Sequence, residues 1–265
     1  MFKFAISTWL YADRPLDIAL RDFRNAGFES VELWANRVHL DPRYLEDFPS
    51  TMNMIKKSGA EIHSIHAPFH GLHIGSNDPE LLFQSEQHLV KTLEYASSLS
   101  APIVVVHPLT FALRTGSGTD VEGTVELFER LADRAESLGV RIAVENLPVA
   151  PPAYTSVAGL MELFPDPRIA ICLDVAHSFL NHRDIIAEIE LASARLISCH
   201  VSNNDGIRDS HNNIDEGLID MDSVLDKLAD YPTVTPVFEI NGRGIPEQVL
   251  ESVKQSRMKR TKAQE

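Results

Sequence analysis

The sequence predicts an α/β fold, a single (β/α)8 barrel, on the basis of three observations. Eight short runs of strand type alternate with eight segments of helical spacing, and such alternation indicates a parallel sheet covered by helices. The 265 residues contain no composition break or Gly/Ser-rich linker, and one barrel of this kind has about 250 residues. Because no Gly-rich phosphate loop follows the first strand, an open nucleotide-binding sheet has little support.

The predicted strands are short runs of apolar and β-branched residues that end at a polar residue, proline or glycine. Residues 103–106 form a continuous apolar run, Ile-Val-Val-Val, which is typical of a parallel strand buried on both faces. In chain order, the predicted strands cover residues 2–8, 31–34, 61–66, 103–107, 140–145, 170–174, 196–200 and 235–239.

The predicted helices carry apolar residues three and four positions apart. The first shows this spacing at Leu16, Ala19, Leu20 and Phe23 and stops at Gly27. In chain order, the helices cover residues 16–26, 42–58, 79–99, 121–138, 157–164, 184–194 and 222–229, with a last helix from residue 246. We assign residues 1–257 to the (β/α)8 barrel domain and residues 258–265 to a basic, solvated C-terminal tail.

The composition excludes several classes of function. The formal net charge is −14, whereas non-specific binding of nucleic acid requires clustered Lys and Arg. No apolar run approaches the roughly 20 residues that cross a bilayer, so no membrane partner is expected. Two cysteines, Cys172 and Cys199, do not make a disulfide framework, and we therefore expect a cytoplasmic location. The oligomeric state stays open.

Six predicted strands end on a side chain that can bind a metal. Parallel strands of a barrel bring their carboxyl ends to one rim, where active sites lie. Any one such residue alone would be an ordinary polar strand end, but buried carboxylates without a counter-charge are costly, and a divalent cation removes that cost. We therefore predict a metal site at the C-terminal rim of the strands. Its candidate ligands are His66, His107, Glu145, Asp174, His200 and Glu239.

A second group of candidate ligands follows the sixth and seventh strands. His177 comes three residues after the sixth strand, and the polar segment after the seventh carries Asp209 and His211. Neutral imidazoles and carboxylates bind first-row metals, so these three side chains could complete a second grouping. Two alternatives stay open: a polar loop with incidental histidines, and a His177 that contacts substrate or supports a ligand.

Other candidates are assigned by strand parity and position. Cys172 shares the parity of Asp174 but lies deeper, which predicts a place in the barrel core, whereas Cys199 should face the helices. His63 lies within its strand, where packing or surface exposure is expected. His70 lies on a loop of the rim, where it could touch substrate.

Together these motifs resemble the xylose-isomerase-like barrel superfamily. That superfamily includes ketose 3-epimerases, related sugar and inositol-pathway enzymes, and the endonuclease IV family of abasic-site nucleases. The resemblance covers nearly the whole chain, because every motif appears in order at a strand end. The motifs are HAPF at His66, VVVHP at His107, AVEN at Glu145, CLDVAH at Asp174 and His177, CHVSNNDG at His200, DSH at Asp209 and His211, and FEIN at Glu239.

The epimerase branch of this resemblance implies one divalent metal held by Glu145, Asp174, His200 and Glu239. Glu145 and Glu239 would also be the catalytic acid and base on opposite sides of a ketose, while the metal stabilises an enediolate. His177 would contact the substrate. The branch often has an arginine directly after the Asn-Asp of the seventh strand's loop. Here Gly206 stands in that place, and we expect Arg208 to substitute for the arginine in substrate binding.

The endonuclease IV branch implies three zinc ions, and all nine of its ligand positions are filled in this chain. Clustered zinc ions would generate hydroxide and clamp a phosphodiester. The sequence departs from this branch in the segment after His66 and in lacking the lysine expected after His200. The three sites would be His66, His107 and Glu145; Glu145, Asp174, His200 and Glu239; and His177, Asp209 and His211.

These residues, with the resemblance, predict a divalent-metal-dependent isomerase or epimerase of a sugar or sugar phosphate that moves protons through a metal-stabilised enediolate. The alternative is an endonuclease IV-like trinuclear zinc phosphodiesterase acting on abasic DNA. A lyase on the same scaffold and a ligand-binding barrel without turnover stay further alternatives. We expect one to three divalent ions per chain (Zn, Mn, Mg or Co) and a small sugar as substrate, with nucleic acid as a partner only under the alternative.

Overall fold

Eight parallel strands pair in sequence order, and the last also pairs with the first, so that the sheet closes into a barrel. This architecture is seen in a computed structural model, which describes residues 3–110, 113, 118–242 and 244–262. It confirms the predicted (β/α)8 fold. The strands are β1 (Ala5–Ser7), β2 (Ser30–Trp34), β3 (Glu61–His66), β4 (Ile103–Val106), β5 (Arg141–Glu145), β6 (Ile169–Asp174), β7 (Leu196–Val201) and β8 (Thr235–Phe238).

Helices connect the strands and cover the outside of the barrel. Aspartate side chains accept hydrogen bonds from backbone N–H groups at the start of several of these helices, which satisfies donors that the helix itself leaves unpaired. The helices are α1 (Leu16–Asn25), α2 (Phe48–Ser58), α3 (Pro79–Leu99), α4 (Val121–Leu138), α5 (Val157–Leu163), α6 (Val175–Leu180), α7 (Ile185–Ala192), α8 (Met221–Leu228) and α9 (Pro246–Lys262).

Two helices differ from the prediction. Helix α2 begins at Phe48 rather than at residue 42, because Asp47 accepts the hydrogen bond from Ser50 N–H that caps the helix. Helix α6 was not predicted, and it begins directly after β6, with Asp174 capping it through the N–H of His177.

The last helix extends beyond the predicted end of the barrel domain. Helix α9 continues across residue 257 and ends at Lys262. Arg260 is buried, and its guanidinium lies 2.7 Å from Asp215 Oδ1 and 3.1 Å from Asp222 Oδ1. Residues 258–262 therefore continue the last helix, and the division into a barrel domain and a basic tail stays a prediction. Residues 1–2 of the predicted first strand and residues 263–265 of the tail lie outside the described residues.

Strand registers bring the candidate ligands to one end of the barrel. Strands β4 and β8 each end one residue early, so His107 and Glu239 lie just beyond them. Below the ligands, a small apolar cluster that includes Cys172 fills the barrel, while Cys199 packs in the large core between sheet and helices, as strand parity predicted. Within the described parts of the chain, no helix is both long and apolar enough to cross a membrane.

Candidate metal centre

Eight of the nine predicted ligands converge into three overlapping groups at the carboxyl ends of the strands. Within each group, one potential ligand atom per residue lies within 4.8 Å of the others, and all of these residues are buried. Glu145 and Asp174 each belong to two groups, which makes the three groups one continuous centre. The groups are His66, His107 and Glu145; Glu145, Asp174, His200 and Glu239; and Asp174, His177 and His211.

The ninth predicted ligand, Asp209, lies between two imidazoles at the outer edge of the centre. Its Oδ2 is 3.3 Å from His177 Nε2, and its Oδ1 is 3.0 Å from His211 Nε2. The side chain of Asp209 is 33% exposed, whereas those of the two histidines are nearly fully covered. The polar loop therefore brings Asp209 and His211 close to His177, and the role of these three residues as metal ligands stays a prediction.

Glu145 lies at the middle of the centre. Its Oε2 is 3.1 Å from His66 Nε2 and 3.3 Å from His107 Nε2, and its Oε1 is 3.3 Å from His177 Nδ1. Burial raises the pKa of Glu145, but the charges of His107 and His200 and their neighbours outweigh it and hold the pKa well below its ordinary value. Glu145 is therefore ionised, as a metal ligand or a general base must be.

Several buried polar atoms at the centre make no well-aligned hydrogen bond with the described residues, although two of the imidazole nitrogens lie 3.2 and 3.3 Å from a carboxylate oxygen. They are Oδ2 of Asp174, Nε2 of His177, Nδ1 of His200 and Oε2 of Glu239. Leaving such atoms unpaired costs free energy, and a cation that accepts their lone pairs removes that cost. Oxygen and imidazole nitrogen atoms are ligands of zinc, manganese and cobalt. These residues therefore fit a divalent metal ion.

The pKa values of the site reflect a competition between burial and charge. Burial raises the pKa of Glu239, but His200 and His211 outweigh it and bring the pKa to about 2. Burial lowers the pKa of His211, yet Asp209 and Glu239 raise it to about 9. For Asp174, burial prevails and raises the pKa to about 6. Without a metal the carboxylates are thus balanced by imidazolium protons, which a metal would displace.

Backbone carbonyl groups fix the orientation of three of the imidazoles. Nδ1 of His66 lies 2.9 Å from Ala67 O, Nδ1 of His177 lies 2.8 Å from Asn146 O, and Nδ1 of His211 lies 3.0 Å from Glu239 O. Because a carbonyl oxygen only accepts, each Nδ1 carries a proton and donates it. Nε2 of His66 then faces Glu145, and Nε2 of both His177 and His211 faces Asp209.

Asn146, in the AVEN motif, joins the ends of β5 and β6. Its side-chain amide donates to Asp174 O at 3.0 Å, and its Oδ1 accepts from Asp174 N–H at 2.8 Å. Its own carbonyl accepts from His177, as described above. Asn146 is buried, and it therefore positions two of the candidate ligands without being one.

The loop after β7 contains unusual backbone at two places. His211 has a positive φ of 46°, which is rare for a residue with a side chain and is typical of functional sites. Gly206 has φ of 76°, and a Cβ there would lie 3.3 Å from Phe179 Cε1. A residue with a side chain, arginine included, would be strained at this φ.

Three aromatic side chains form one wall beside the centre. The ring centroids of Trp9 and Trp34 lie 5.9 Å apart, and those of Trp34 and Phe69 lie 6.0 Å apart. Phe69 is also 4.3 Å from the ring of His107, and Trp9 meets His211 edge-on at 4.4 Å. We call Trp9, Trp34 and Phe69 the aromatic wall.

The aromatic wall and the candidate ligands enclose a cavity with a volume of about 130 Å³. No lysine or arginine is among the described residues that line it, so the cavity offers apolar surface, imidazoles and carboxylates. The lining consists of Trp9, Trp34, Phe69, His70, His107, Glu145, Pro148, His177, Asp209, His211 and Glu239.

The two remaining residues predicted to bind substrate lie differently. His70 lines the cavity, with its ring 4.3 Å from that of Phe69. Arg208 is exposed, and its backbone N–H donates to Asp205 Oδ1 at 2.9 Å. Arg208 is not among the described residues that line the cavity, and its contact with substrate stays a prediction.

Sequence reasoning missed the aromatic wall and Glu32. Trp34 ends β2 and pairs in register with His66, so the strand-end rule applied to it, but its apolar side chain was not considered. Glu32 is a charged residue within the buried strand SVELW, and this contrast with its neighbours was an available signal. Its Oε2 lies 3.1 Å from His200 Nε2. Burial raises the pKa of Glu32, but His200 outweighs it and lowers the pKa.

The fold is similar to that of a solved structure, and most of the length of the chain aligns with related sequences. The crystal structure of a D-tagatose 3-epimerase-like protein has a TM-score of 0.82 at 20% identity, covering 99% of this chain and 99% of that chain. An uncharacterized protein of Methanocaldococcus jannaschii is 23% identical over 239 residues, 85% of this chain and 79% of that protein. The fructoselysine 3-epimerase of Escherichia coli O157:H7 is 20% identical over 233 residues, 82% of each chain.

A family model also covers most of the chain. The model described as "Xylose isomerase-like TIM barrel" matches residues 20–259, which include every candidate ligand. The chain therefore belongs to the xylose isomerase-like TIM barrel family.

Proposed function

We propose that the protein is a divalent-metal-dependent sugar isomerase or epimerase. The observation that carries the proposal is the placement of two ionised, buried carboxylates, Glu145 and Glu239, in one small cavity beside the aromatic wall. Glu145 ends β5 and Glu239 follows β8, so two strands separate them and each can approach a bound sugar from its own direction. A pair of carboxylates can remove a proton from a carbon atom and return one to it.

Glu145, Asp174, His200 and Glu239 would hold the metal of this reaction. When bound, the cation would supply positive charge to the oxygen atoms next to the carbon that loses its proton. Glu145 and Glu239 are each ionised, so either can act as the base. The other carboxylate would take up a proton from water before it returns one to the opposite face of the same carbon. His177 and His70 would hydrogen-bond substrate hydroxyl groups from the edge of the cavity.

The aromatic wall supports a sugar as substrate. Flat aromatic rings cover the apolar C–H face of a sugar and exclude water, which would otherwise compete for the abstracted proton. Since no lysine or arginine is among the described residues that line the cavity, we infer that an uncharged sugar is preferred over its phosphate ester. The similarity to a fructoselysine 3-epimerase and to a D-tagatose 3-epimerase-like protein supports a ketose.

Proton exchange at the substrate carbon tests this proposal. Metal-free protein would be reconstituted with Mn²⁺, Co²⁺ or Zn²⁺ and incubated in D₂O with free ketopentoses, ketohexoses and amino-acid-substituted ketoses. We expect ¹H NMR to show loss of the C3 proton signal and appearance of an epimer for at least one ketose, and no exchange after treatment with EDTA. Metal-loaded protein that exchanges no proton in any of these sugars would contradict the proposal.

A second candidate, a trinuclear zinc phosphodiesterase, is favoured by the three overlapping ligand groups, which would accommodate more ions than proton transfer needs. Zinc-reconstituted protein would be incubated with a labelled DNA duplex that contains one abasic site. Incision that His211→Ala abolishes would support this candidate, whereas intact DNA would reject it.

A further inference from the structure

Glu32 is fully buried inside the barrel, two residues before the end of β2 and below the candidate metal centre. One of its oxygens, Oε2, lies 3.1 Å from His200 Nε2 and accepts a hydrogen bond of 2.8 Å from Ser64 Oγ. Burial of a carboxylate is costly, and Glu32 is not a member of the ligand groups found among the described residues. Among the described residues, the contact at hydrogen-bond distance between Glu32 and the candidate ligands is the one with His200.

That contact reverses the orientation of His200 relative to its neighbours. His66, His177 and His211 donate from Nδ1 to backbone carbonyl groups and turn Nε2 toward the centre. In His200, Nε2 faces Glu32, while Nδ1 lies 3.2 Å from Glu239 Oε2 and has no hydrogen-bond partner among the described residues. An ionised carboxylate only accepts, so the proton of a neutral His200 lies on Nε2.

We propose that Glu32 is a positioning residue that holds His200 in the Nε2–H form and so reserves Nδ1 for the metal. This inference rests on the proposed metal centre. Carboxylate partners of ligating histidines orient the ring, fix its tautomer and increase its basicity. Glu32 thus does for His200 what carbonyl groups do for the other three imidazoles, and it adds a negative charge that a carbonyl lacks.

A bulge in β3 makes the arrangement possible. Val31 pairs with Ile62, but the next residue, Glu32, pairs with Ser64, so His63 is an extra residue in β3. The shift sets Ser64 level with Glu32, where its hydroxyl donates to Oε2 and fixes that oxygen toward His200. The other carboxylate oxygen, Oε1, has no partner among the described residues, so the carboxylate is held from one side only.

Metal affinity of Glu32→Gln tests the inference. The substitution keeps the shape of the side chain but removes its charge and its exclusive acceptor character. We expect the affinity for Zn²⁺ or Co²⁺, measured by competition with a chromophoric chelator, to fall about 10- to 100-fold.

Glu188→Gln is the matched control, because Glu188 is also buried but lies outside the centre, where it accepts from Val157 N–H. It should bind metal as the wild type does. If the wild type itself binds no metal, the proposed centre fails; if the wild type binds and Glu32→Gln binds equally well, only the role of Glu32 is overturned.

A measurement on the wild type guards against a variant that does not fold. In zinc-loaded protein, two-dimensional ¹H–¹⁵N NMR of the imidazoles should show a metal-bound Nδ1 and a protonated Nε2 for His200. It should show a protonated Nδ1 for His66, because that nitrogen donates to Ala67 O. A zinc-bound Nε2 in His200 would overturn the inference.

Discussion

The inner and outer parts of the candidate metal centre are built differently. The inner group of Glu145, Asp174, His200 and Glu239 comes from the ends of four neighbouring strands and is almost fully buried. The outer group consists of His177, Asp209 and His211. The last two lie on one loop, where Asp209 is 33% exposed and His211 has a positive φ. Strand ends hold ligands rigidly, whereas a loop can vary without disturbing the barrel. The inner group is therefore suited to holding a fixed geometry for the reaction, whereas the residues of the outer group can change without disturbing the barrel.

The largest expected effect is on activity, and it distinguishes a residue of the inner group from a residue of the outer group. Glu239→Gln should lower proton exchange at the substrate carbon about 100- to 10,000-fold, since it removes an acid or base, and circular dichroism should show a folded barrel. His211→Ala should lower exchange less than about tenfold if the inner group alone carries the reaction. Exchange that survives Glu239→Gln would reject Glu239 as acid or base.

Metal content separates the groups next. We expect about one ion per chain to remain after extensive dialysis, held by the inner group, as measured by inductively coupled plasma mass spectrometry. His211→Ala should leave that ion in place. About three tightly held ions, reduced in number by His211→Ala, would instead support the phosphodiesterase.

The pH dependence of metal binding is a smaller effect. Asp209 and Glu239 raise the pKa of His211 to about 9, so at pH 7 the metal-free ring is protonated and must lose its proton to bind an ion. Occupancy of the outer group should therefore strengthen as pH rises toward 9, by about tenfold per unit for one displaced proton. Calorimetry in buffers of different ionisation enthalpy would detect the released proton. Affinity that does not change between pH 6 and 8 would contradict this.

The smallest effect concerns stability away from both groups. Burial raises the pKa of Glu188, although the hydrogen bond from Val157 N–H opposes this. A raised carboxyl pKa favours folding below the unfolded value, and the benefit is lost as pH rises through the folded value. Relative to wild type, Glu188→Gln should thus gain stability from pH 4 to pH 7, by about 1 kcal/mol or less. Calorimetric melting at both pH values measures the difference, and a relative loss at pH 7 would contradict it.

Much of this molecule follows from local pattern. Strand β3 and helices α3 and α4 have the predicted bounds, because strong periodicity and aspartate caps agree there. Helix α2 begins later than predicted, since Pro42 and Asp47 are both plausible starts and only the hydrogen bond of Asp47 decides between them. Helix α6 has six residues, too few for a periodic signal.

The candidate site, too, contains some features that sequence patterns predict and others that they do not. The rule that parallel strands share a rim was sufficient to bring together ligands as distant in sequence as His66 and Glu239. It could not reveal Glu32, whose role depends on which nitrogen of His200 turns toward it, and ring orientation is a property of the packed interior. Sequence reasoning also did not identify the aromatic wall, because an apolar residue at a strand end does not differ in sequence from an ordinary core residue.

The aromatic wall has a practical consequence. The chain contains two tryptophans, and both Trp9 and Trp34 line the cavity, 5.9 Å apart. All indole fluorescence of the protein therefore originates next to the candidate metal centre. Binding of a metal ion or of a sugar at the proposed site can therefore be followed through the intrinsic tryptophan fluorescence of the unlabelled protein.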